Sequence, residues 1–258
     1  MCMHRRSRAR IPGDIGAIRN NRGFTLAEVV LVMIIVAIVA GVAMRGAVNV
    51  TNSARVERTK QIMQALEFAI VGNPELKANG MRSDYGYVGD IGALPPNLQA
   101  LISDPGLGTW RGPYVHPGEG GTYQQYLRDA WNQSLTLNGA EIVSTGSGQT
   151  IVRRLASSTS ALTSNRVHGV VVDSLGRGPD STYRDSLAIT LSHPDGSGAV
   201  AIRPVVAGRD GYFEVTQVPV GHHKLTVALI PNNDSITRYI DVSPESSAYI
   251  ELRLPTSF

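Results

Sequence analysis

One apolar run near the start of the chain limits the structures that the chain can adopt. Residues 24–44 (FTLAEVVLVMIIVAIVAGVAM) are 21 positions with a single charged side chain, that of Glu28. A helix needs about 20 mainly apolar residues to cross a bilayer, so the run predicts a membrane-spanning helix. A secretory signal peptide also combines a basic start with an apolar core. This run is longer than such a core, however, and no Ala-x-Ala site follows it.

Charges before the run predict its orientation. The first 23 residues contain six arginines and one acidic residue, Asp14. Arginine-rich flanks stay on the cytoplasmic side, so we expect the chain after about residue 45 to lie in the periplasm or outside the cell. The same 23 residues carry a net charge of +5, so their removal changes the net charge from +3 to −2. A mildly acidic remainder argues against nucleic acid as a partner.

Glu28 needs a partner if the run lies in a membrane. A carboxylate inside a membrane helix costs about 2.5 kcal/mol or more, and such groups are usually paired. No other side chain of residues 24–44 is charged. A cut before Phe24 would free an α-amino group one helical turn away, which could pair with Glu28 of a neighbouring copy. Alternatively, Glu28 lies at the membrane surface and reaches water. The residues alone leave both interpretations open.

Residues 22–28 (RGFTLAE), followed by the apolar run, resemble the processing site of the type IV pilin and pseudopilin family. In that family a prepilin peptidase cuts after the glycine, the new N-terminal phenylalanine is N-methylated, and a glutamate at this spacing is needed for assembly. The resemblance implies that the cut removes a leader of residues 1–23, with Gly23 and Phe24 at the processing site. It implies that Glu28 acts in assembly. The implied partners are prepilin peptidase, copies of this chain and other pilin-like subunits.

The helix is expected to continue beyond the membrane. Arg45 stands where many pilins have proline, and no proline follows before the sequence GNP at residues 72–74. Apolar residues recur every three or four positions in this stretch, and GNP is a typical helix end. We therefore predict one helix over residues 24–72, whose amphipathic extension over residues 45–72 packs under a globular head.

Residues 73–154 predict a small mixed α/β head. They are rich in Gly, Pro, Tyr and Asn, with short apolar pieces between. We expect a short helix near residues 94–102 and strands near residues 135–137 and 141–144. The two tryptophans of this region have large apolar areas and are expected to anchor its core.

The head resembles the major pseudopilin of type II secretion systems in three places: WRGPY at residues 110–114, DAWN at 129–132 and STG at 144–146. DAWN departs from the family pattern, since alanine stands in place of a proline. The family's next segment supplies acidic ligands for a structural calcium ion. Residues 147–154 (SGQTIVRR) contain two arginines and no acid, so no calcium is expected there. On this resemblance, structural roles in the head are expected for Trp110, Gly112, Pro113, Tyr114, Asp129 and Trp131.

Residues 155–165 (LASSTSALTSN) are small and uncharged and predict a linker. The segments after it are short, rich in β-branched residues and separated by Gly, Pro and Asp turns, which predicts a β-sandwich over residues 166–258. We expect strands at residues 167–173, 187–192, 200–206, 212–216, 224–230, 236–242 and 248–254.

This second domain resembles carboxypeptidase-regulatory and transthyretin-like sandwiches. It opens with Gly-x-Val-x-Asp at residues 169–173 and carries DGYF at 210–213 and VPVG at 218–221. The resemblance implies an interaction module without catalytic activity. The whole chain is thus predicted to be α+β, with a long N-terminal transmembrane and amphipathic helix, a small pilin-like head and a C-terminal seven-stranded β-sandwich.

The sequence predicts no enzyme, no cofactor and no metal site. His222 and His223 are adjacent, so in a strand they point to opposite faces and cannot easily hold one metal ion. The sequence has no Gly-x-Ser-x-Gly elbow and no Walker A loop. Its one cysteine, Cys2, lies in the leader, so the mature chain can form no disulfide. Many type IV pilins close a loop with a cystine, so this observation favours a pseudopilin.

We therefore expect a pilin-like structural subunit of the bacterial inner membrane, with a cytoplasmic N-terminus and a periplasmic globular part. It would join a periplasmic (pseudo)pilus of a type II-like protein secretion system, and its sandwich would contact a secretion-channel component or cargo. The alternative is a type IV pilus subunit with an adhesive or partner-binding sandwich. A third interpretation is a membrane-anchored binding protein that never assembles. The residues leave open the filament symmetry and whether the subunit is abundant or at the tip.

Overall fold

A computed structural model describes residues 23–118, 121–231 and 234–258, and the side chains of residues 45–47 are not described. Apart from Gly23, the predicted leader lies outside the described residues. The chain divides into two units after Val50. The first element is helix α1, Leu26–Val71, and a β-rich region with several sheets follows it. This confirms the predicted α+β class.

Helix α1 changes character along its length. Its first half is apolar, and among the described residues α1 is the one helix long and apolar enough to cross a membrane. In its second half Ile62, Leu66 and Ile70 are buried. These residues are four apart and lie on one face, which is the face that packs against the head.

The end of α1 is held by Gly72 and Arg82. Gly72 has a φ of +81°, a left-handed conformation that favours glycine, and its N–H donates to Phe68 O at 2.8 Å. Arg82 Nη2 donates to the carbonyl oxygens of Val71 (2.6 Å) and Gly72 (3.1 Å). A cation at this end of a helix also interacts favourably with the helix dipole. The helix therefore ends where the GNP sequence predicts.

The head packs around the second half of α1. Its core contains Leu66 together with Tyr87, Ile91, Leu101 and Ile142, all of them fully buried. β1 pairs with β2, and β3, β4 and β5 form one antiparallel sheet. The elements of the head are β1 (Lys77–Ala78), β2 (Met81–Arg82), α2 (Gly86–Ile91), β3 (Thr136–Asn138), β4 (Glu141–Ser144) and β5 (Ile151–Arg154), with 3₁₀ turns at Leu98–Leu101 and Gln124–Tyr126.

Two details of the head differ from the sequence prediction. The helix expected over residues 94–102 is only a 3₁₀ turn. It begins after the two prolines, where Asn97 Oδ1 caps it by accepting a hydrogen bond from Ala100 N–H at 3.1 Å. The sequence does not predict β5, since four residues ending in two arginines are a weak strand signal. Its Arg153 Nε donates to Glu67 Oε2 of α1 at 2.6 Å, which ties the strand to the helix.

The segment predicted to be a linker contains a short helix. Helix α3 is Thr159–Thr163, and Ser158 Oγ caps it by accepting a hydrogen bond from Ala161 N–H at 3.2 Å. Leu162 is buried in the core of the head, and its carbonyl accepts a hydrogen bond from Val220 N–H at 2.9 Å. The segment is therefore packed on both sides and is not an extended spacer. The apolar pair Ala-Leu among the small residues is the signal for this packing.

The C-terminal part is a β-sandwich of two sheets. Its strands are β6 (Asn165–Val172), β7 (Leu187–Pro194), β8 (Val200–Val205), β9 (Tyr212–Val218), β10 (Gly221–Leu229), β11 (Asp234–Val242) and β12 (Ser247–Arg253), with α4 (Asp180–Tyr183) and a 3₁₀ turn (Arg184–Ser186) before β7. One sheet has the order β11-β10-β7-β8, and the other has the order β12-β6-β9 with β12 parallel to β6. Val171, Leu191, Phe213 and Leu225 are fully buried between the sheets. Each of the seven predicted strands overlaps an observed one.

Gly169 lies in the central strand β6, and a substitution at this position tests the packing of this sheet. A Cβ there would clash with the carbonyl oxygen of Ile250 and lie 2.9 Å from Phe213 Cζ. We predict that Gly169→Ala lowers the free energy of unfolding by about 1–3 kcal/mol, because the backbone must shift. Val200→Ala, at an exposed position of the edge strand β8, is the control and should change it by less than about 0.5 kcal/mol. Denaturant unfolding of the full chain in micelles, followed by circular dichroism, measures both, and equal midpoints would contradict the described packing.

Candidate functional site

Helix α1 begins with a reciprocal cap made by Thr25 and Glu28. Glu28 Oε2 accepts hydrogen bonds from Thr25 N–H at 2.9 Å and from Thr25 Oγ1 at 3.0 Å. The N–H of Glu28 donates back to Thr25 Oγ1 at 3.3 Å. This arrangement is a capping box, in which two side chains three residues apart satisfy backbone N–H groups of the first turn. The one carboxylate of the apolar run is therefore turned towards the N-terminal end of its helix.

Gly23 and Phe24 directly precede this cap. The side chain of Phe24 is 82% exposed, and no heavy atom of the described residues lies within 4 Å of the point where a Cβ on Gly23 would be. The structure places the Glu28 carboxylate on the N–H of Thr25, the residue that directly follows the predicted processing residues Gly23 and Phe24.

Sequence reasoning missed Thr25. The signal was present, because Thr-x-x-Glu directly before an apolar run is the pattern of a capping box. The cap gives Glu28 a partner inside its own chain. Neither of the two interpretations drawn from the residues, pairing with a neighbour's amine or contact with water, includes this partner.

The apolar half of α1 exposes large side chains on all sides. Their exposed fractions range from 43% for Val29 to 84% for Leu26. A helix that is apolar all round is normally covered by lipid or by other helices. This surface therefore suits both a membrane and the interior of a helical filament.

Residues 18–44 match the family model described as the prokaryotic N-terminal methylation motif. The motif indicates a type IV pilin-like protein that is processed by prepilin peptidase. Proteins with this motif are structural, and the motif implies assembly with other pilin subunits. Together with the apolar helix it indicates membrane anchoring. The match spans 27 of the 258 residues, so it does not extend to the head or the sandwich.

No curated protein matches the chain. One similar solved structure is the dioxygenase domain of a dioxygenase carbohydrate-binding protein fusion from Streptomyces sp. SirexAA-E, with 11% identity and a TM-score of 0.26, over 37% of this chain and 81% of that chain. Another is a DUF3823 family protein from Parabacteroides merdae, with 17% identity and a TM-score of 0.27, over 36% of this chain and 47% of that chain. These TM-scores are too low to support a conclusion about fold or function.

The WRGPY element of the head folds back on the nearby 3₁₀ turn. Trp110 Nε1 donates to Ala100 O at 2.9 Å. The rings of Trp110 and Tyr114 pack edge to face, with their centroids 5.8 Å apart. A Cβ on Gly112 would clash with the ring of Trp110, so glycine allows this close approach. Pro113 follows through a cis peptide bond and is exposed.

The DAWN and STG elements meet at Asp129, which is buried. Asp129 Oδ1 accepts hydrogen bonds from the N–H groups of Trp131 and Gln133, both at 2.9 Å. Asp129 Oδ2 accepts hydrogen bonds from Ser144 Oγ at 2.7 Å and from Gly146 N–H at 3.1 Å. Burial by itself raises the pKa of this carboxyl, but the hydrogen bonds outweigh burial and hold the pKa below its ordinary value. The carboxylate therefore fastens the two elements to each other.

The alanine that replaces the family's proline in DAWN has a contact of its own. Ala130 N–H donates to Thr59 Oγ1, on a fully buried side chain of α1, at 3.1 Å. A proline has no N–H and could not make this bond. The departure from the family pattern thus joins the head to its helix.

The two tryptophans behave differently from each other. Trp110 packs against the core of the head, as the sequence predicts. Trp131 is half-buried and is not among the described residues that form or border that core. Its contribution is the backbone N–H that Asp129 binds, so the expected anchoring by its ring is not seen.

We predict that Asp129→Asn destabilises the head by about 1–3 kcal/mol at neutral pH, because an amide nitrogen cannot accept hydrogen bonds from the donors around it. The folded chain has a lowered pKa at Asp129, so the stabilisation is present above the unfolded value of about 3.9 and is lost as the pH falls through the folded value. The difference between variant and parent should therefore shrink below about pH 4.

Tryptophan fluorescence during denaturant unfolding, repeated from neutral pH down to about pH 2, measures this difference. Glu57→Gln, at an exposed position of α1, is the matched control and should show no such trend. A difference between Asp129→Asn and the parent that stays constant across this pH range would contradict the role given to the carboxylate.

Proposed function

We propose that the chain is a structural subunit of a periplasmic (pseudo)pilus in a type II-like protein secretion system. Prepilin peptidase cuts it between Gly23 and Phe24, and the mature subunit assembles through α1. The observation that carries this proposal is the cap of Thr25 and Glu28. It holds the one carboxylate of the apolar run beside the residue whose α-amine the cut releases.

The cut would leave a positive α-amine on Phe24, one residue before the N–H that Glu28 binds. An unpaired ionised group in lipid costs about 2.5 kcal/mol or more, so both charges need a partner. Pairing the amine of one subunit with Glu28 of the next neutralises both. The same step packs the exposed apolar side chains of two helices against each other.

Charge supports the proposed location. Six arginines precede the apolar run in the sequence, which favours a cytoplasmic N-terminus and a periplasmic globular part. The proposed subunit is therefore a single-pass protein of the inner membrane before it enters the filament.

Two features support a pseudopilus over other filaments. The three head elements resemble those of the major pseudopilin, and Asp129 joins two of them. The sequence after Gly23 contains no cysteine, so the mature chain cannot form the cystine that many type IV pilins have.

A type IV pilus subunit with an adhesive sandwich is the second candidate. It is favoured by a row of rings on the sheet of β12, β6 and β9, where the His168 centroid lies 5.4 Å from that of Tyr249 and 6.3 Å from that of Tyr212. The two tyrosines are 58% and 37% exposed, respectively. This face could contact a surface target, or in a pseudopilus a secretion-channel component or cargo.

We predict that Glu28→Leu abolishes assembly but leaves cleavage and membrane insertion intact, because leucine suits lipid but cannot pair with an amine. Thr25→Val removes the side-chain part of the cap and keeps Glu28, so filaments should form in reduced amount. Val29→Leu, in the same turn, is the control and should assemble normally. The mass of the mature chain reports cleavage, and the subunit fraction in sedimented filaments from host cells reports assembly.

A Glu28→Leu variant that assembles as well as the parent would contradict the proposal and support a membrane-anchored monomer. If the parent does assemble, immunogold labelling distinguishes a periplasmic pseudopilus from a type IV pilus. A pseudopilus is labelled only after the outer membrane is permeabilised, whereas label on intact cells would support the type IV pilus.

A further inference from the structure

The sandwich contacts the head through two of its turns, and the first of them is residues 194–196, at the end of β7. Gly196 N–H donates to the carbonyl oxygen of Ile91, the last residue of α2, at 2.8 Å. Gly92 follows with a φ of +83°, and a Cβ there would lie only 2.5 Å from Pro194 O. The main chains of the head and the sandwich, which belong to the same compact unit, therefore touch at this turn.

The second turn is residues 219–221, which lead into β10. Val220 is buried in the core of the head, and its N–H donates to Leu162 O at 2.9 Å. A Cβ on Gly221 would lie 3.4 Å from Gly89 O of α2. The head thus holds this turn both by side-chain packing and by a main-chain hydrogen bond.

One buried histidine holds each turn from the sandwich side. His193 Nδ1 lies 2.8 Å from Pro194 O, and His223 Nε2 lies 2.7 Å from Pro219 O. A carbonyl oxygen only accepts hydrogen bonds, so each of these nitrogens carries a proton and donates it. The two ring centroids are 6.1 Å apart. The histidines therefore form a pair that fastens the backbone in contact with the head.

The other nitrogen of each ring, His193 Nε2 and His223 Nδ1, is buried and has no hydrogen-bond partner among the described residues. In the neutral ring it carries a lone pair. Protonation would turn it into an N–H without an acceptor and would place a positive charge out of contact with water, which is strongly unfavourable. Burial is the main reason why the pKa of His223 falls to about 4. The closed junction therefore favours neutral rings.

On the sandwich side, the acid that acts on His223 is Asp241 of β11. Its carboxylate favours the charged ring, but its Oδ1 lies 2.5 Å from Nδ1 of His222 and is already bonded there. His193 and His222 act in the opposite direction and disfavour a charge on His223. The other titratable side chains of β10 and β11 that line the cleft of about 850 Å³ beside the rings are Lys224 and Tyr239.

On the head side, the carboxylates of the same cleft accept hydrogen bonds from other groups. Asp90 accepts one from Tyr114 Oη at 2.9 Å, and Asp84 accepts from the N–H groups of Asn73 at 2.8 Å and Gly86 at 3.0 Å. The other titratable side chains that the head contributes to the cleft are Arg82, Tyr85 and Arg111. A proton added to either ring therefore meets no acceptor among the described residues while the junction is closed.

We propose that this histidine pair makes the junction between the head and the sandwich acid-sensitive. The junction is closed while both rings are neutral, and it opens when they take up protons. Opening releases the two turns from the head and lets the rings reach water, while the head and the sandwich each keep their own core. The processing and assembly residues take no part in this step, so it does not rest on the proposed function.

Linkage gives the direction and the size of the effect. In the open junction a histidine has its ordinary pKa of about 6.5, whereas in the closed junction the pKa of His223 is about 4. The closed state keeps its full stability above about pH 6.5 and loses it as the pH falls towards 4. Between about pH 7.5 and pH 5, His223 alone should raise the equilibrium constant for opening about thirtyfold.

Hydrogen exchange of the full chain in micelles, followed by mass spectrometry, measures this opening, because Gly196 N–H and Val220 N–H are both bonded across the junction. After correction for the intrinsic exchange rate, peptides with these amides should lose protection about thirtyfold or more between pH 7.5 and pH 5. Peptides from β4 of the head and β6 of the sandwich should keep their protection.

The decisive variant is His193→Asn combined with His223→Gln. The amide nitrogens of asparagine and glutamine can donate to Pro194 O and Pro219 O in place of Nδ1 and Nε2, but neither side chain takes up a proton in this pH range. The junction amides of this variant should keep their protection from pH 7.5 to pH 5. His116→Gln, at an exposed position outside the cleft, is the matched control and should respond as the parent does.

A single variant keeps the test valid if the double variant does not fold. His223→Gln alone should lose less protection at the junction than the parent over the same pH range. The proposal is overturned if the parent's junction amides keep their protection at pH 5, or if the core peptides lose protection to the same extent. It is also overturned if the histidine variants respond to pH as the parent does.

Discussion

Glu28 is the only charged side chain in the apolar run, and its carboxylate accepts two hydrogen bonds from Thr25. These bonds satisfy part of its hydrogen-bonding capacity but leave its charge uncompensated, which is unfavourable in lipid. A positive group that arrives at the same end of the helix would compensate that charge, and cleavage at Gly23 would create one on Phe24. Processing, membrane anchoring and assembly are thus linked through one carboxylate whose position is set by the helix cap.

Much of the fold follows from local and periodic sequence signals. The apolar run predicts α1, GNP predicts its end, and β-branched segments between turns predict the seven strands of the sandwich. Features that involve contacts between residues far apart in the sequence are not predicted. Strand β5 is tied to α1 by a bond between Arg153 and Glu67, 86 residues earlier, and Leu162 is bonded through its carbonyl to the N–H of Val220. A window of neighbouring residues carries no information about such partners.

The candidate site shows the same difference between residues that are close in sequence and residues that meet only in the fold. Gly23, Phe24 and Glu28 are close in sequence, so their motif can be recognised without a structure. Thr25 also lies within that motif, but its role as a partner of Glu28 comes from a helix cap, which neither an intermolecular pair nor contact with water includes. Asp129 could be assigned a structural role from its resemblance to a head motif, but its bond to Ser144 and the contact of the DAWN element with α1 appear only in three dimensions.

The most direct measurement is the intact mass and N-terminal sequence of the chain purified from the membranes of its own host. Processing at the Gly23–Phe24 bond predicts a mature chain that starts at Phe24 and is heavier than the unmodified chain by one methyl group. A chain that still starts at Met1, or one that is cut beyond Met44, would mean an ordinary anchor or a signal peptide and would contradict the role proposed for Glu28.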